Sequence, residues 1–237
     1  MLKERQKSIL SAVVQEHVRT ARPVASEDIW KRFDFDCAPA TIRNEMLLLD
    51  QLGFLEQPHV SAGRIPTDKG YRFYVDNFTD DANLSKIEQD LLENAFSKLS
   101  HDAFIKQFGK TAAHITQSFV AIGSFEARPM YETGLSEILE EPEFEDLGRI
   151  RLFSKFIGAF DEHIKTLLEA TSDDEDEEII FIGAENPLRN AREYTIMISR
   201  WEHGSGSDGF IASVSPRRTD YKKNRAFLRE IKELSHD

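Results

Sequence analysis

The chain has 237 residues, 40% hydrophobic and 30% charged, which excludes a disordered or collagen-like polymer and leaves room for one large domain or two modest ones. No apolar run reaches the ~18 residues of a membrane span, Leu2-Lys3-Glu4-Arg5-Gln6-Lys7 lacks a signal-peptide core, and the single cysteine, Cys37, cannot form an internal disulfide, so a cytoplasmic location is expected. A net charge of −12 does not exclude nucleic acid, because residues 1–75 hold 11 Lys/Arg against 10 Asp/Glu and the remainder 19 against 32, and charges beyond ~10 Å are mostly screened at cellular salt.

In chain order, residues 3–20 read as an amphipathic helix with Ile9, Leu10, Val13, Val14 and Val18 on one side. After Pro23, Ser26 is expected to cap a short second helix carrying Ile29 and Trp30, with Glu27 and Asp28 favouring its positive end. Pro39 suits the first position of a third helix, which turns Ile42, Met46, Leu49 and Leu52 inward and stops at Gly53. Phe54–Gln57 and Arg64-Ile65 look like two short strands around the loop 58–63, and Thr67 can cap a fourth helix running to about Phe78.

The polar stretch 79–83 is a plausible domain boundary. Beyond it, Leu84, Ile87, Leu91, Ala95 and Leu99 share one helical face. Phe104, Phe108, Ala112, Ile115, Phe119 and Ile122 share another. Phe144, Leu147, Ile150, Phe153, Ile157, Phe160, Ile164 and Leu167 predict one long amphipathic helix. Ile179–Ile182, Tyr194–Ser199 and Phe210–Val214 read as strands, the last two joined by the Gly-rich loop 204–209, and a final helix is expected over 218–235.

Three short helices followed by two strands and a loop is the order of a winged helix. A helix fits the DNA major groove, where side chains near its N-terminus reach base edges, and a loop of small and basic residues can settle on adjacent phosphates or enter the minor groove. On the third helix Ala40, Thr41, Arg43 and Asn44 lie opposite or beside the buried face. Arg suits guanine, Asn suits adenine, and Thr can meet a thymine methyl. His59, Ser61 and Arg64 on the wing, with Lys69 and Arg72 behind it, are candidates for phosphate contact. Taken alone, Arg, Asn and Thr on a helix are more often just a solvated face.

Three runs in this region, residues 39–46 (Pro-Ala-Thr-Ile-Arg-Asn-Glu-Met), 52–59 (Leu-Gly-Phe-Leu-Glu-Gln-Pro-His) and 61–72 (Ser-Ala-Gly-Arg-Ile-Pro-Thr-Asp-Lys-Gly-Tyr-Arg), strongly resemble HrcA, the heat-inducible transcription repressors of bacteria. The resemblance returns at residues 139–144 (Leu-Glu-Glu-Pro-Glu-Phe), 182–187 (Ile-Gly-Ala-Glu-Asn-Pro) and 215–221 (Ser-Pro-Arg-Arg-Thr-Asp-Tyr). It implies an α+β chain: an N-terminal winged helix-turn-helix domain over 1–78, then a reduced GAF-like α/β domain for regulation and dimerisation over 84–237, with a small antiparallel sheet. The family carries a further segment between about Ile122 and Tyr131, holding the first GAF-like strands and an inserted dimerising domain, which this chain skips. Ala38 stands where the family has a capping serine before the recognition helix.

The resemblance further implies a double-stranded DNA target, an inverted repeat upstream of chaperone operons, with repression relieved by heat and a chaperonin as partner. An inverted repeat needs two reading heads, so a homodimer is expected, and the helices over 84–122 offer apolar surface to replace the missing dimerising segment. Two rival readings stay open: an interaction protein that modulates a full-length repressor without binding an operator itself, and a ligand sensor.

Other patterns read as structural. The acidic run Asp173–Glu178 lacks the spaced ligands and glycine of a calcium loop, and the seven histidines show no ligand spacing. The Gly204-x-Gly206-x-x-Gly209 pattern lies between strands with no helix after it, so a dinucleotide site is rejected. Cys37 reads as a small turn residue rather than a redox sensor. No catalytic constellation, cofactor, metal or membrane partner is expected.

Overall fold

Helix α1 (Glu4–Thr20) buries the stripe that its spacing announces, with Ile9, Leu10, Val13 and Val14 completely covered and Val18 half-buried. The computed structural model describes residues 2–97, 101–125, 130–170, 178–203 and 206–236. They fall into two units, Met1–Asp80 and Asp81–Asp237.

In the first unit α1 packs against α2 (Ser26–Arg32), α3 (Pro39–Gln51) and α4 (Asp68–Phe78). Glu16, buried on α1, draws Arg32 of α2 to 3.1 Å and Arg19 to 2.5 Å. The expected Ser26 cap is not formed. Val24 is held extended by two backbone hydrogen bonds with Arg64, so Ala25 becomes the extended N-cap, and the Asp28 carboxylate accepts from its N–H at 3.2 Å. Thr67 does cap α4, its hydroxyl accepting from Gly70 N at 3.1 Å. Leu52, expected inward, is 49% exposed. Helix α3 has already ended there, and the chain reverses through Gly53 at a φ of 76°, which leaves Leu52 on the outside of the turn.

The second unit is built on a five-stranded antiparallel sheet in the order β4-β3-β7-β6-β5. Its strands are β3 (Phe119–Ser124), β4 (Tyr131–Thr133), β5 (Ile179–Ile182), β6 (Tyr194–His203) and β7 (Ser207–Pro216). Alternate residues divide its two faces. Phe119, Ala121, Ile196, Ile198, Ala212 and Val214 enter a core with Phe144, Phe153, Phe156, Phe160, Ile164 and Leu167. The opposite face meets α6 (His101–Thr116) and α10 (Tyr221–His236): Trp201 lies edge-on to Phe104, and Thr195 shares a 2.9 Å hydrogen bond with Tyr221. Helices therefore cover both faces, and the chain is of the α+β class. Among the described residues no helix is long and apolar enough to cross a membrane, and no group of three His, Cys, Asp or Glu is placed to hold a metal ion.

Three expectations fail in this unit. Helix α5 (Lys86–Phe96) buries Leu92, Ala95 and Phe96, while Ile87 is 74% exposed and Leu91 43%. Its phase is set by Phe96 against Phe104 and Phe108, and by Lys223 of α10, whose ammonium lies 2.8 Å from Glu88. That contact, with the Ser85 hydroxyl, holds the Glu88 carboxyl down to about 2. Leu99 lies outside the described residues. Second, the helix through Phe104 ends at Thr116. Gln117 turns at a φ of 50°, and Phe119 and Ile122 belong to β3. A strand buried on both faces shows no alternation, so its apolar run mimicked helical spacing.

Third, the long helix is a short turn at Pro142–Glu145 followed by α8 (Leu147–Ile157) and α9 (Phe160–Glu169), after the small helix α7 (Leu135–Leu139). The break falls at Gly158-Ala159, and Leu147 is 70% exposed. The expected hairpin between β6 and β7 forms, but its loop is shorter than 204–209: His203 pairs with Ser207, so residues 207–209 belong to β7, and Gly206 turns at a φ of 81°. Gly204, Ser205 and the acids up to Asp176 and Glu177 lie outside the described residues, while Glu178 pairs with Arg225 at 3.4 Å.

Candidate nucleic-acid interface

Helix α3 begins at Ala38, an extended N-cap (φ −71°, ψ 154°) with no side-chain hydrogen bond, and Pro39 fills the first helical position, where a missing N–H costs nothing. Ala38→Ser is therefore expected to add about 1 kcal/mol of stability, read as a raised urea midpoint at unchanged slope. Ile42, Met46 and Leu49 anchor the inner face of α3. Ala40, Arg43 and Asn44 are exposed and Thr41 is half-exposed. Arg43 and Asn44 have no side-chain partner among the described residues.

The acids of α3 are both engaged elsewhere. Glu45 accepts from Gln6 Nε2 at 3.1 Å, and Asp50 Oδ2 lies 2.6 Å from Arg64 Nε. The exposed face of the helix thus carries the Arg43 cation and the amides of Asn44 and Gln51, while neither carboxylate is free to repel a phosphate backbone.

The wing follows directly. Strands β1 (Leu55–Glu56) and β2 (Ile65–Pro66) pair antiparallel, Leu55 opposite Pro66 and Glu56 opposite Ile65, and Val24 adds a bridge to Arg64. Gly63 is needed at that bridge, since a β-carbon there would stand 2.3 Å from Val24 O. The loop is held by Gln57 Nε2 donating to Ala62 O at 2.9 Å and by Ser61 at a left-handed φ of 70°. His59 and Ser61 are exposed at its tip, with Val60 92% exposed between them.

The remaining cations named from sequence have intramolecular work. The Arg64 side chain is only 17% exposed and tied to Asp50, a contact that is ionic rather than a well-aimed hydrogen bond and that joins the wing to the end of α3. Lys69 donates to Leu52 O at 2.8 Å and sits 4.2 Å above the Phe54 ring, beside the C-terminal end of α3 where a cation is favoured. Arg72 reaches Asp76 one turn along α4 at 3.3 Å. Leu47 and Gln51, not named from sequence, are also exposed on α3, in line with Ala40 and Asn44 at intervals of four, three and four residues.

The model of the winged helix-turn-helix transcription repressor, HrcA DNA-binding, matches residues 1–77, and that of the HrcA protein C terminal domain matches residues 70–224. The chain belongs to the HrcA family. Proteins named heat-inducible transcription repressor HrcA are similar to it: that of Halalkalibacterium halodurans is 45% identical over 139 residues, 58% of this chain and 40% of the relative. That of Carboxydothermus hydrogenoformans is 38% identical over 144 residues, 60% and 42% respectively. These matched stretches span well under half of each relative's length.

The HrcA of Thermodesulfovibrio yellowstonii is 26% identical over 94% of both chains. That alignment is 328 residues long, more than the 237 of this chain, so the relative holds residues with no counterpart here. A solved structure titled "Crystal structure of a hypothetical protein at 2.2 A resolution" superposes with a TM-score of 0.81 over 100% of this chain and 98% of its own, at 18% identity, a likeness of fold.

Proposed function

We propose that this member of the HrcA family is a sequence-specific repressor of transcription that binds double-stranded DNA with α3 in the major groove and the wing beside it. The observation that carries this reading is the outer face of α3, where Arg43 and Asn44 stand exposed while both carboxylates of the helix are held away by Gln6 and Arg64. Ala40, Thr41, Arg43 and Asn44 face the bases. His59 and Ser61 meet the wing-side backbone. Lys69 and Arg72 stand behind the wing, and Arg64 positions it through Asp50.

The finer reading is a cytoplasmic homodimer on an inverted repeat that controls heat-shock chaperone operons, with a chaperonin as regulator. Its basis is the family resemblance, joined by the two-heads requirement of a repeated half-site. Exposed Ile87 and Leu91 of α5 offer apolar surface for a second protomer. Selection from a randomised duplex pool at ~150 mM salt is expected to return two inverted half-sites separated by whole helical turns, with two protomers per duplex in sedimentation. A complex of one protomer on the full repeat would remove the homodimer, and a pool that never enriches would remove autonomous recognition. The latter result would favour the second reading, a modulator acting through mixed dimers, which the residues absent relative to the Thermodesulfovibrio protein motivate.

A further inference from the structure

The outer stripe of α3 alternates apolar and amide side chains. Ala40, Asn44, Leu47 and Gln51 follow at intervals of four, three and four residues, which places them in one line along the side opposite Ile42, Met46 and Leu49. All four are exposed, Leu47 at 46%. No charged side chain belongs to the stripe. Arg43 flanks it on the side of Asp50, and Asp50 is held by Arg64.

A leucine in the middle of such a stripe leaves apolar area in water, which contact with an apolar surface would remove. In the major groove the apolar feature on base edges is the thymine 5-methyl group. The distance from Ala40 to Leu47 along the helix is about 10 Å, within the ~12 Å width of that groove. The surrounding chemistry selects the same surface: the Arg43 guanidinium beside the stripe and the Asn44 carboxamide within it suit guanine and adenine edges, and both carboxylates of α3 are engaged by Gln6 and Arg64.

We propose that Leu47, with Ala40 two turns before it, reads thymine by packing against its 5-methyl group, so that part of this protein's sequence preference is apolar. The proposal rests on the DNA-binding reading above and adds the chemical group that α3 recognises. It makes Leu47 a specificity residue: its contact depends on which base is present, whereas a phosphate contact does not.

Replacing thymine by uracil removes the methyl group and leaves the pairing edge intact. On a duplex recovered by selection with the wild-type protein, uracil at each thymine in turn is expected to weaken binding about three- to fourfold at one or two positions per half-site, the value of one buried methyl. Leu47→Ala, a surface truncation, is expected to keep the melting temperature, bind the thymine duplex severalfold more weakly, and lose the thymine–uracil difference at those positions. Equal affinity of the wild-type protein for thymine and uracil duplexes would overturn the proposal while leaving DNA recognition standing. A thymine–uracil difference that persists in Leu47→Ala would assign the methyl contact to another residue and overturn it as well. If no duplex is preferred by the wild-type protein, the underlying reading fails, and the absence of enrichment identifies that case.

Discussion

Arg43→Ala is expected to raise the Kd for the selected duplex by one to two orders of magnitude, the roughly 1–3 kcal/mol of a paired arginine–guanine contact. The side chain is exposed and makes no ion pair among the described residues, so its removal costs little folding stability and the effect belongs to the complex. Two readouts separate base reading from simple charge. If Arg43 reads a base, affinity for a scrambled duplex falls far less than affinity for the selected one, and the preference relaxes at one position of each half-site. If Arg43 only neutralises a phosphate, both duplexes weaken alike and the salt dependence of log K loses about one unit of slope. Fluorescence anisotropy at several salt concentrations distinguishes them. The second pattern would remove Arg43 from the base-reading set and leave Asn44, Thr41 and Leu47 to carry specificity.

Arg218→Ala is expected to lower the stability of the second unit by roughly 3 kcal/mol, the low end for breaking a buried ion pair. Its side chain is 10% exposed and is held by Glu143, with Nε at 2.8 Å from Oε1, and by Glu141. Burial works against its charge, but the Glu143 and Glu141 carboxylates outweigh that and raise its pKa above the ordinary arginine value. Deleting the guanidinium strands two neighbouring carboxylates in a largely covered site. The loss stays at the low end of that range because Glu141 and Glu143 remain about a quarter and a fifth exposed.

Combining Arg218→Met with Glu141→Gln and Glu143→Gln removes the charges together and is expected to recover most of the loss, since a buried pair replaced as a set is often neutral. Urea unfolding followed by tryptophan fluorescence reads both variants, because Trp201 is fully buried in this unit. A single variant within 0.5 kcal/mol of wild type, the ordinary range for a surface substitution, would show that Arg218 does not anchor the end of β7 to the Pro142–Glu145 turn.

The Arg218 site joins two of the runs that carry the family resemblance although they lie far apart in the chain. The Leu-Glu-Glu-Pro-Glu-Phe and Ser-Pro-Arg-Arg-Thr runs meet through this one guanidinium. Asn186 does similar work in the third run. Buried, its amide donates to the carbonyls of Gly183, Ala191 and Tyr194 and holds the chain between β5 and β6. These residues are structural ties, and no pattern of sequence spacing names their partners.

The sequence by itself determined the order and extent of the helices of the N-terminal unit, though not the cap of α2 or the outward place of Leu52. Helices α1, α3 and α4 each have one buried face, so apolar spacing, the proline at position 39, the Thr67 cap and Gly53 mark where each starts or stops. The same local rules placed Ala40, Arg43 and Asn44 on the outside of α3. Tertiary structure decided the rest wherever a residue answers to partners distant in the chain. Arg64 read as a free wing cation until Asp50, on another element, took it up, and Lys69 likewise closed onto Leu52 and Phe54. Strand β3 is covered on both faces, which erases the alternation that would have distinguished it from a continuing α6. The buried side of α5 was chosen by Phe96 and Lys223 rather than by its own spacing, because a short helix with apolar residues around much of its circumference rotates to satisfy its largest neighbours.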